Sequence, residues 1–337
     1  MKPLKTYACC IKNEAVRINS SSGGVFSILA AYIFSLKGIV YGVAMNTDCY
    51  SASFYSASSL DELDNLRGSK YVQAGIGDTY KKVKRDLTEG RIVLFTGTPC
   101  QVNGLKKYLG ADYENLICAD VICHGAPSPK LWKKYVYYQE EKHNAKLTYV
   151  NFRCKDKGWA EYGMKMSYRD PFTGKSISEF VSKETDPYML VFLRNYALRP
   201  SCYRCVARET KLSDITIADF WGIDNVASRM NDNKGTSLVL IRTKKGEKLF
   251  ENVCNDMKIR EVTYEAGVNG NPSDYKSPVR PSQRDGFYHD LNQLKFSDLI
   301  FKYAKPSKLS LKTKIKMKLK PVVAPVLKVI RDRRDGY

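Results

Sequence analysis

The sequence predicts an α/β fold with some α+β elements, built around a mixed sheet. The main observation is a pair of strand–loop–helix units that follow one another, with apolar strands at 92–95 and 116–122 and helices at 102–109 and 130–141. Consecutive β-α-β units place neighbouring strands parallel to each other. Residues 147–181 alternate in polarity instead, which is typical of antiparallel strands. We therefore expect parallel β-α-β units, an antiparallel insertion and, at the C terminus, a basic helical tail.

The remaining elements are predicted from periodicity and from turn residues. Residues 25–45 are largely apolar, but Lys37 and Gly38 interrupt them. We therefore expect a buried helix, a turn and a buried strand there, and not a membrane-spanning helix. Residues 1–19 are short and mixed in character. The other predicted elements are strands at 51–58, 215–219 and 236–242 and helices at 60–66, 78–89, 186–196, 245–257 and, weakly, 285–303.

The formal net charge of +20 is unevenly distributed along the 337 residues. Residues 302–337 contain twelve Lys or Arg and two Asp, so half of the net charge lies there. Because the rest of the chain has only a mild surplus and no nucleic-acid-reading motif, we expect no nucleic-acid partner. Met1–Lys5 leads into polar sequence, which predicts no cleavable signal peptide and a cytoplasmic protein whose thiols stay reduced.

Ten cysteines occur in the chain, and four of them are placed where they can meet. Cys100 and Cys123 each follow a predicted parallel strand, and loops that leave parallel strands lie at the same edge of a sheet. Cys202 and Cys205 form a C-x-x-C pair, whose spacing lets both sulfurs point at one metal. Four thiolates suit zinc and an iron–sulfur cluster equally, and the spacing does not choose between them.

Two further segments could hold an anionic group. Ser20–Gly24 precedes the first predicted helix, where free N–H groups and the helix dipole suit a phosphate. Serines and glycines also form ordinary helix caps. Residues 67–71 combine two cations, a hydroxyl, a glycine and an aromatic ring, either as an anion-binding loop or as a solvated one. Neither a G-x-G-x-x-G nor a Walker A motif occurs, so a Rossmann dinucleotide site or a P-loop has no support.

Six segments of the chain form a combined pattern: S-S-S-G-G-V-F-S at 20–27, R-G-S-K-Y-V-Q at 67–73, F-T-G-T-P-C-Q at 95–101, I-C-H-G at 122–125, the C-x-x-C pair at 202–205 and D-I-T-I-A-D-F-W-G at 214–222. Together and in this order they resemble the coenzyme F420 hydrogenase/dehydrogenase beta-subunit family, over roughly residues 15–290. The resemblance implies a flavoprotein that carries FAD and a 4Fe–4S cluster.

By this resemblance the chain has four expected cluster ligands, Cys100, Cys123, Cys202 and Cys205. The residues expected to contact the flavin are Ser21, Ser22, Gly23, Gly24, Gly68, Ser69, Lys70, Tyr71, Gly97 and Thr98. No catalytic residue is assigned, and His124 is either a proton relay or a structural histidine. The chain then divides into an N-terminal segment at 1–19, a flavin-binding α/β part with the first two cysteines at 20–146, a part with the C-x-x-C loop at 147–300 and a basic tail at 301–337.

The family pattern implies an oxidoreductase that passes electrons between an organic redox partner and the cluster. Many members begin with a cysteine-rich ferredoxin segment, whereas residues 1–19 hold only Cys9 and Cys10. A separate electron-donor protein, such as a ferredoxin or a redox subunit, is therefore expected. Members of this short form occur among bacterial surface-polysaccharide genes, where the deazaflavin coenzyme is often not made, so the substrate is open. The alternative is a non-catalytic or zinc-stabilised partner protein that retains the fold.

The basic tail suggests a membrane contact. Between residues 309 and 330, apolar residues recur at helical spacing with lysines between them. Basic amphipathic helices of this kind bind anionic membrane surfaces. Pro321 and Pro325 interrupt helical hydrogen bonding, and a solvated basic tail would have the same composition. Peripheral contact with the inner membrane face is thus a hypothesis about this segment.

Overall fold

A computed structural model describes residues 2–305 of the chain. The tail segment 309–330, for which the amphipathic helix is predicted, lies outside the described residues. Twelve strands are described: β1 Lys5–Ile11, β2 Ile39–Met45, β3 Ala52–Ala57, β4 Ala74–Gly75, β5 Val93–Gly97, β6 Leu116–Val121, β7 Lys146–Cys154, β8 Gly163–Arg169, β9 Ser176–Ser182, β10 Ile215–Asp219, β11 Ser237–Ile241 and β12 Met257–Glu261.

Helices cover both faces of the main sheet. The α-helices of the described residues are α1 Glu14–Ile18, α2 Val25–Ser35, α3 Leu60–Leu63, α4 Thr79–Thr88, α5 Pro99–Leu109, α6 Pro129–His143, α7 Pro187–Leu193, α8 Lys244–Val253, α9 Tyr264–Val268, α10 Arg284–Gln293 and α11 Phe296–Tyr303. Short 3-10 turns connect several of them, including one at Pro200–Arg204. Within the described range, no helix is both long and apolar enough to cross a membrane.

Nine strands form one mixed sheet in the order β12-β1-β11-β10-β6-β5-β2-β3-β4. Strands β2, β5, β6 and β10 run parallel, and β1 and β11 pair antiparallel beside them. A second sheet, β7-β8-β9, is antiparallel throughout. The α/β fold class, the parallel β-α-β unit and the antiparallel insertion are therefore confirmed. All of these elements belong to the compact unit Met1–Ala304.

Burial on both sides of the main sheet explains its apolar strands. In β5, Val93 and Phe95 pack into the core beneath α4, α5 and α6, whereas Leu94 packs into the core beneath α2 and α8. Successive side chains of a strand point to opposite faces. Because both faces are covered, a central parallel strand is apolar at every position rather than at alternate ones.

Three sequence predictions about elements are corrected by the structure. Residues 5–11 form strand β1, although no strand is predicted in 1–19, because the partners of this strand lie more than 200 residues away, in β11 and β12. The predicted helix 245–257 ends at Val253, and Met257 begins β12. The predicted helix 285–303 is two helices, α10 and α11, separated by two extended residues, Leu294 and Lys295.

The glycines before α2 are required for packing. The N–H of Gly23 donates to Ser237 Oγ (2.9 Å), and its carbonyl accepts from the N–H of Ile11 (2.8 Å). A methyl group on Gly23 would lie 2.4 Å from the carbonyl oxygen of Cys9, well inside contact distance. Gly24 has a φ of 88°, which favours glycine, and a methyl group there would meet the side chain of Ile11 at 2.6 Å. These glycines let the turn approach β1 and β11.

Replacing Gly23 by alanine should therefore destabilise the whole fold. The added methyl group meets backbone atoms that cannot rotate away, and overpacking of this kind costs about 1–3 kcal/mol. Urea unfolding followed by circular dichroism measures the effect. Gly75→Ala is the matched control, because a methyl group there would be 3.7 Å from its nearest neighbour, Ser53 Oγ. Equal unfolding midpoints for the two variants would contradict the packing role of Gly23.

Candidate functional site

The four cysteines singled out by the sequence line one cavity, here called the cysteine cavity. It lies where β5 and β6 end, and the residues around it come from α5, the segment after β6, the 3-10 turn at 200–204 and the loop near residue 273. Its lining residues are Thr98, Pro99, Cys100, Cys123, Gly125, Ala126, Cys202, Cys205, Arg208 and Ser273.

Cys100 lies in the first turn of α5 and not in a loop, which corrects the predicted loop 96–101. The helix begins at Pro99 because proline fits the first helical position and Thr98 and Gln101 form a capping box. The T-P-C-Q sequence already contains this signal. The helix thus presents the exposed Cys100 at its N-terminal end, where the helix dipole favours negative charge. Thr98 Oγ1 lies 3.2 Å from the Cys100 sulfur.

Cys123 lies two residues after the end of β6 and is half-buried. The parallel pairing of β5 with β6, with Gly97 opposite Asp120, brings Cys100 and Cys123 to the same edge, as the sequence predicts. Burial, together with the neighbouring thiols Cys100, Cys202 and Cys205, raises the pKa of Cys123 to about 12, whereas Arg208 opposes the rise. The four thiols therefore lie close together around the cavity.

Backbone pairing ties the C-x-x-C turn to the segment after β6. An isolated β-bridge joins Pro127 to Leu198, and the N–H of Arg199 donates to the carbonyl of Ala126 (3.0 Å). The N–H of Ala126 then donates to the sulfur of Cys202 (3.4 Å). Burial raises the pKa of Cys202, while this hydrogen bond lowers it. Cys202 and Cys205 are thereby held against the part of the chain that carries Cys123.

Arg208 also lines the cysteine cavity, and the sequence motifs did not identify it. Its guanidinium is buried and donates to the carbonyls of Cys123 (2.7 Å), His124 (3.1 Å) and Ser273. Its Nε has no partner among the described residues. A buried cation with an unused donor beside four thiols fits an anionic group in the cavity. A C-x-x-C motif alone does not indicate which later arginine folds back onto it.

The donor set of the cavity fits either zinc or an iron–sulfur cluster. Across residues 2–305, no group of three or more His, Cys, Asp or Glu side chains is arranged so that it could hold a metal ion. The four thiols nevertheless line the same cavity, and the buried cation Arg208 lies beside them. The thiols and Arg208 are therefore compatible with an iron–sulfur cluster.

The predicted flavin segments meet at the same edge of the sheet, but not all of their residues are available to a ligand. The hydroxyl of Ser21 accepts from the N–H of Ser69 (2.9 Å), which joins the turn before α2 to the loop 67–71. The hydroxyl of Ser22 is buried and donates to the carbonyl of Thr236 (2.9 Å). Together with Gly23 and Gly24, Ser22 is thus used in packing.

The loop 67–71 leaves more room for a ligand. No atom lies within 4 Å of a methyl group built on Gly68. The ammonium of Lys70 donates to the carbonyls of Asn65 (3.0 Å) and Arg67 (2.7 Å), and burial lowers its pKa to about 7. Gly97 ends β5, and Thr98, next to it, lines the cysteine cavity. The loop 67–71 is therefore a polar segment that lies near the start of α2 and has room for a ligand beside it.

An ion pair between Arg153 and Asp219 holds this edge together. The guanidinium of Arg153 makes two hydrogen bonds to Asp219 (2.7 and 2.8 Å) and also reaches the Tyr71 hydroxyl and the Ser21 carbonyl (3.3 Å each). The Cζ atom of Arg153 lies 3.8 Å from the ring centre of Tyr162. Burial acts to lower the pKa of Arg153, but Asp219 and the tyrosines raise it above its ordinary value. Both predicted flavin segments are thus attached to the end of β10.

His124 has a structural environment. Its Nε2 lies 2.7 Å from Asn195 Oδ1, an acceptor, and its ring packs edge-on against Phe192. Burial lowers the pKa of His124, so the neutral ring is favoured. These contacts favour a structural role for His124 over a role as a proton relay.

Comparison with known proteins agrees with this geometry. The family model for the C terminus of the coenzyme F420 hydrogenase/dehydrogenase beta subunit matches residues 90–266, which is more than half of the chain. A chain of the xenon-derivatized F420-reducing [NiFe] hydrogenase complex from Methanosarcina barkeri has a similar structure, with a TM-score of 0.51 and 16% sequence identity, over 90% of this chain and 91% of that one. At this identity the likeness shows a common fold. A search of the curated proteins found no match.

Removing the charge of Asp219 should destabilise the protein strongly. Asp219→Asn leaves the buried Arg153 without its counter-charge, which typically costs about 3–5 kcal/mol when a buried pair loses one member. Chemical unfolding compared with wild type measures the loss. The matched control is Glu265→Gln, which removes a carboxylate from the exposed pair with Lys2 and should leave the unfolding midpoint close to that of wild type. A loss at Asp219 as small as that of the control would show that the pair does not hold this edge.

Proposed function

The chain belongs to the coenzyme F420 hydrogenase/dehydrogenase beta-subunit family, and on this premise we propose that it is an oxidoreductase with a 4Fe–4S cluster on Cys100, Cys123, Cys202 and Cys205 and with FAD bound beside it. The observation that carries the proposal is the convergence of four thiols from three separate segments on one cavity. When bound, the flavin would exchange a hydride or two electrons with an organic partner and the cluster would carry single electrons.

The surroundings of the thiols suit a negatively charged cluster. Arg208 contributes a buried cation and an unused Nε–H, and the N–H of Ala126 already points at the Cys202 sulfur. Hydrogen bonds to the ligand sulfurs and nearby charge are among the factors that set the reduction potential of such clusters. We therefore assign Arg208 and the Ala126 N–H to stabilising the charge of the bound cluster.

For the flavin, the loop 67–71 is the segment with the best support. Ser69 and Gly68 are accessible, and Lys70 provides an amine whose pKa of about 7 allows it to hold or release a proton near neutrality. Arg153 orients Tyr71 and the Ser21 carbonyl toward the same place. We propose that these residues contact FAD, whereas Ser22, Gly23 and Gly24 shape the turn behind them.

Several finer assignments rest on the sequence resemblance. We propose that electrons are exchanged with a separate carrier protein, such as a ferredoxin or a redox subunit. We also propose that the enzyme is cytoplasmic and serves surface-polysaccharide biosynthesis, and that the basic tail contacts the anionic inner face of the membrane.

Replacing a proposed ligand should remove the cluster. Cys123→Ser and Cys202→Ser should each lose most of the iron and acid-labile sulfide that wild-type protein takes up on anaerobic reconstitution, because a 4Fe–4S cluster requires its thiolates. Iron and sulfide analysis and the visible absorption spectrum measure this loss.

Cys254→Ser is the matched control for those variants. Cys254 is half-buried, contacts the carbonyl of Glu251 and lies outside the cysteine cavity, so its loss should leave iron uptake unchanged. Full iron content in Cys202→Ser would contradict the ligand assignment. Zinc without iron in wild-type protein would favour the zinc-stabilised partner protein instead.

A further inference from the structure

Exposed cationic and apolar side chains lie around the C-x-x-C turn. They come from two segments that flank the cysteine cavity, and none of them is among its lining residues. We call this surface the C-x-x-C face, and it consists of Arg199, Arg204, Val206, Tyr275, Lys276 and Val279.

Hydrogen bonds hold the two segments of the C-x-x-C face side by side. The N–H of Cys205 donates to Ser277 Oγ (3.1 Å), which joins the turn to the loop 275–279. The side chain of Asn195 donates to the carbonyl of Val279 (3.2 Å), and the hydroxyl of Tyr203 donates to the carbonyl of Asn195. The face is therefore a fixed surface and adjoins Cys202 and Cys205.

The charge of the C-x-x-C face is not neutralised. Arg199, Arg204 and Lys276 are exposed, and their side chains make no ion pair or hydrogen bond with any described residue. The carboxylate of Asp285 is already paired with Arg280, which leaves Glu209 as the exposed acid adjoining the turn in sequence.

Three exposed apolar side chains accompany these cations. Val206, Val279 and Tyr275 are 74%, 73% and 57% exposed. A single exposed valine requires no explanation, but three such side chains with two arginines have the composition of a protein–protein interface. The face contributes nothing to the core, so a role in folding does not account for it.

We propose that the C-x-x-C face is the docking surface for a small acidic electron-carrier protein of the ferredoxin class. This inference rests on the proposed function, since only a cluster at the cysteine cavity gives a carrier reason to dock beside it. The unpaired cations select an acidic partner, and the apolar residues provide the contact that excludes water. Transient redox interfaces are small and are steered by charge, and the composition of this surface agrees with that.

Charge reversal tests the proposal. The probe is an oxidised, acidic bacterial ferredoxin, and its Kd for the reconstituted full chain is measured by titration calorimetry at about 20 mM and about 200 mM ionic strength, on either side of where screening becomes strong. Arg204→Glu with Lys276→Glu should raise the Kd at low salt by about tenfold or more and flatten its salt dependence. Val206→Ser with Val279→Ser should raise the Kd at both salt concentrations and leave the salt dependence intact.

Lys258→Glu with Arg260→Glu is the matched control. It makes the same change of charge on β12, the edge strand of the main sheet, where both side chains are exposed. Its Kd should stay within about twofold of wild type. Three results would overturn the proposal: no binding of the acidic ferredoxin by wild type at low salt, equal effects of the two charge-reversal pairs, or self-association of the chain through this face.

Iron content, measured on every sample, separates this proposal from the proposed function. Neither charge-reversal pair replaces a proposed ligand, so both should retain the iron of wild type. If wild type takes up no cluster, the proposed function fails whatever the ferredoxin does. If the cluster is present and the Kd for ferredoxin is the same in wild type and in the variant with Arg204→Glu and Lys276→Glu, only the proposed docking surface is wrong.

Discussion

The parallel pairing of β5, β6 and β10 is the constraint on which the candidate site depends. Because these strands run in the same direction, their carboxyl ends meet at one edge of the sheet. That edge receives Cys100 at the start of α5, Cys123 after β6 and Asp219 at the end of β10. The C-x-x-C turn joins them through its backbone pairing with the segment after β6. Ligands of open α/β sheets bind at such edges.

The ion pair of Asp219 with Arg153 connects the two sheets at this edge. Arg153 comes from β7 of the antiparallel sheet, and Asp219 comes from the main sheet. Burying a charged pair is costly unless its remaining groups are also hydrogen-bonded. Here the Tyr71 hydroxyl and the Ser21 carbonyl accept from Arg153 and the Trp159 indole N–H donates to Asp219, whereas the Nε of Arg153 has no partner among the described residues. The same contacts that stabilise the pair therefore position the loops proposed to hold the flavin.

Features of the fold that depend on residues close together in the sequence could be predicted from local sequence patterns. The apolar runs of β5 and β6 and the helices after them were sufficient to predict parallel strands and the meeting of Cys100 with Cys123. The position of β1, and the roles of Arg153 and Arg208, depend on partners far away in the sequence and were missed. Arg153 and Asp219, for example, are 66 residues apart. The Ser-Ser-Gly-Gly turn shows a different limit, because small residues permit close approach of a phosphate and of a neighbouring strand equally well.

The most direct test of the central claim is the metal content of the wild-type chain purified without oxygen. A 4Fe–4S cluster on Cys100, Cys123, Cys202 and Cys205 predicts four irons and four acid-labile sulfides per chain with little zinc. One zinc per chain without sulfide would contradict the account, since it would mean that these thiols hold a structural ion.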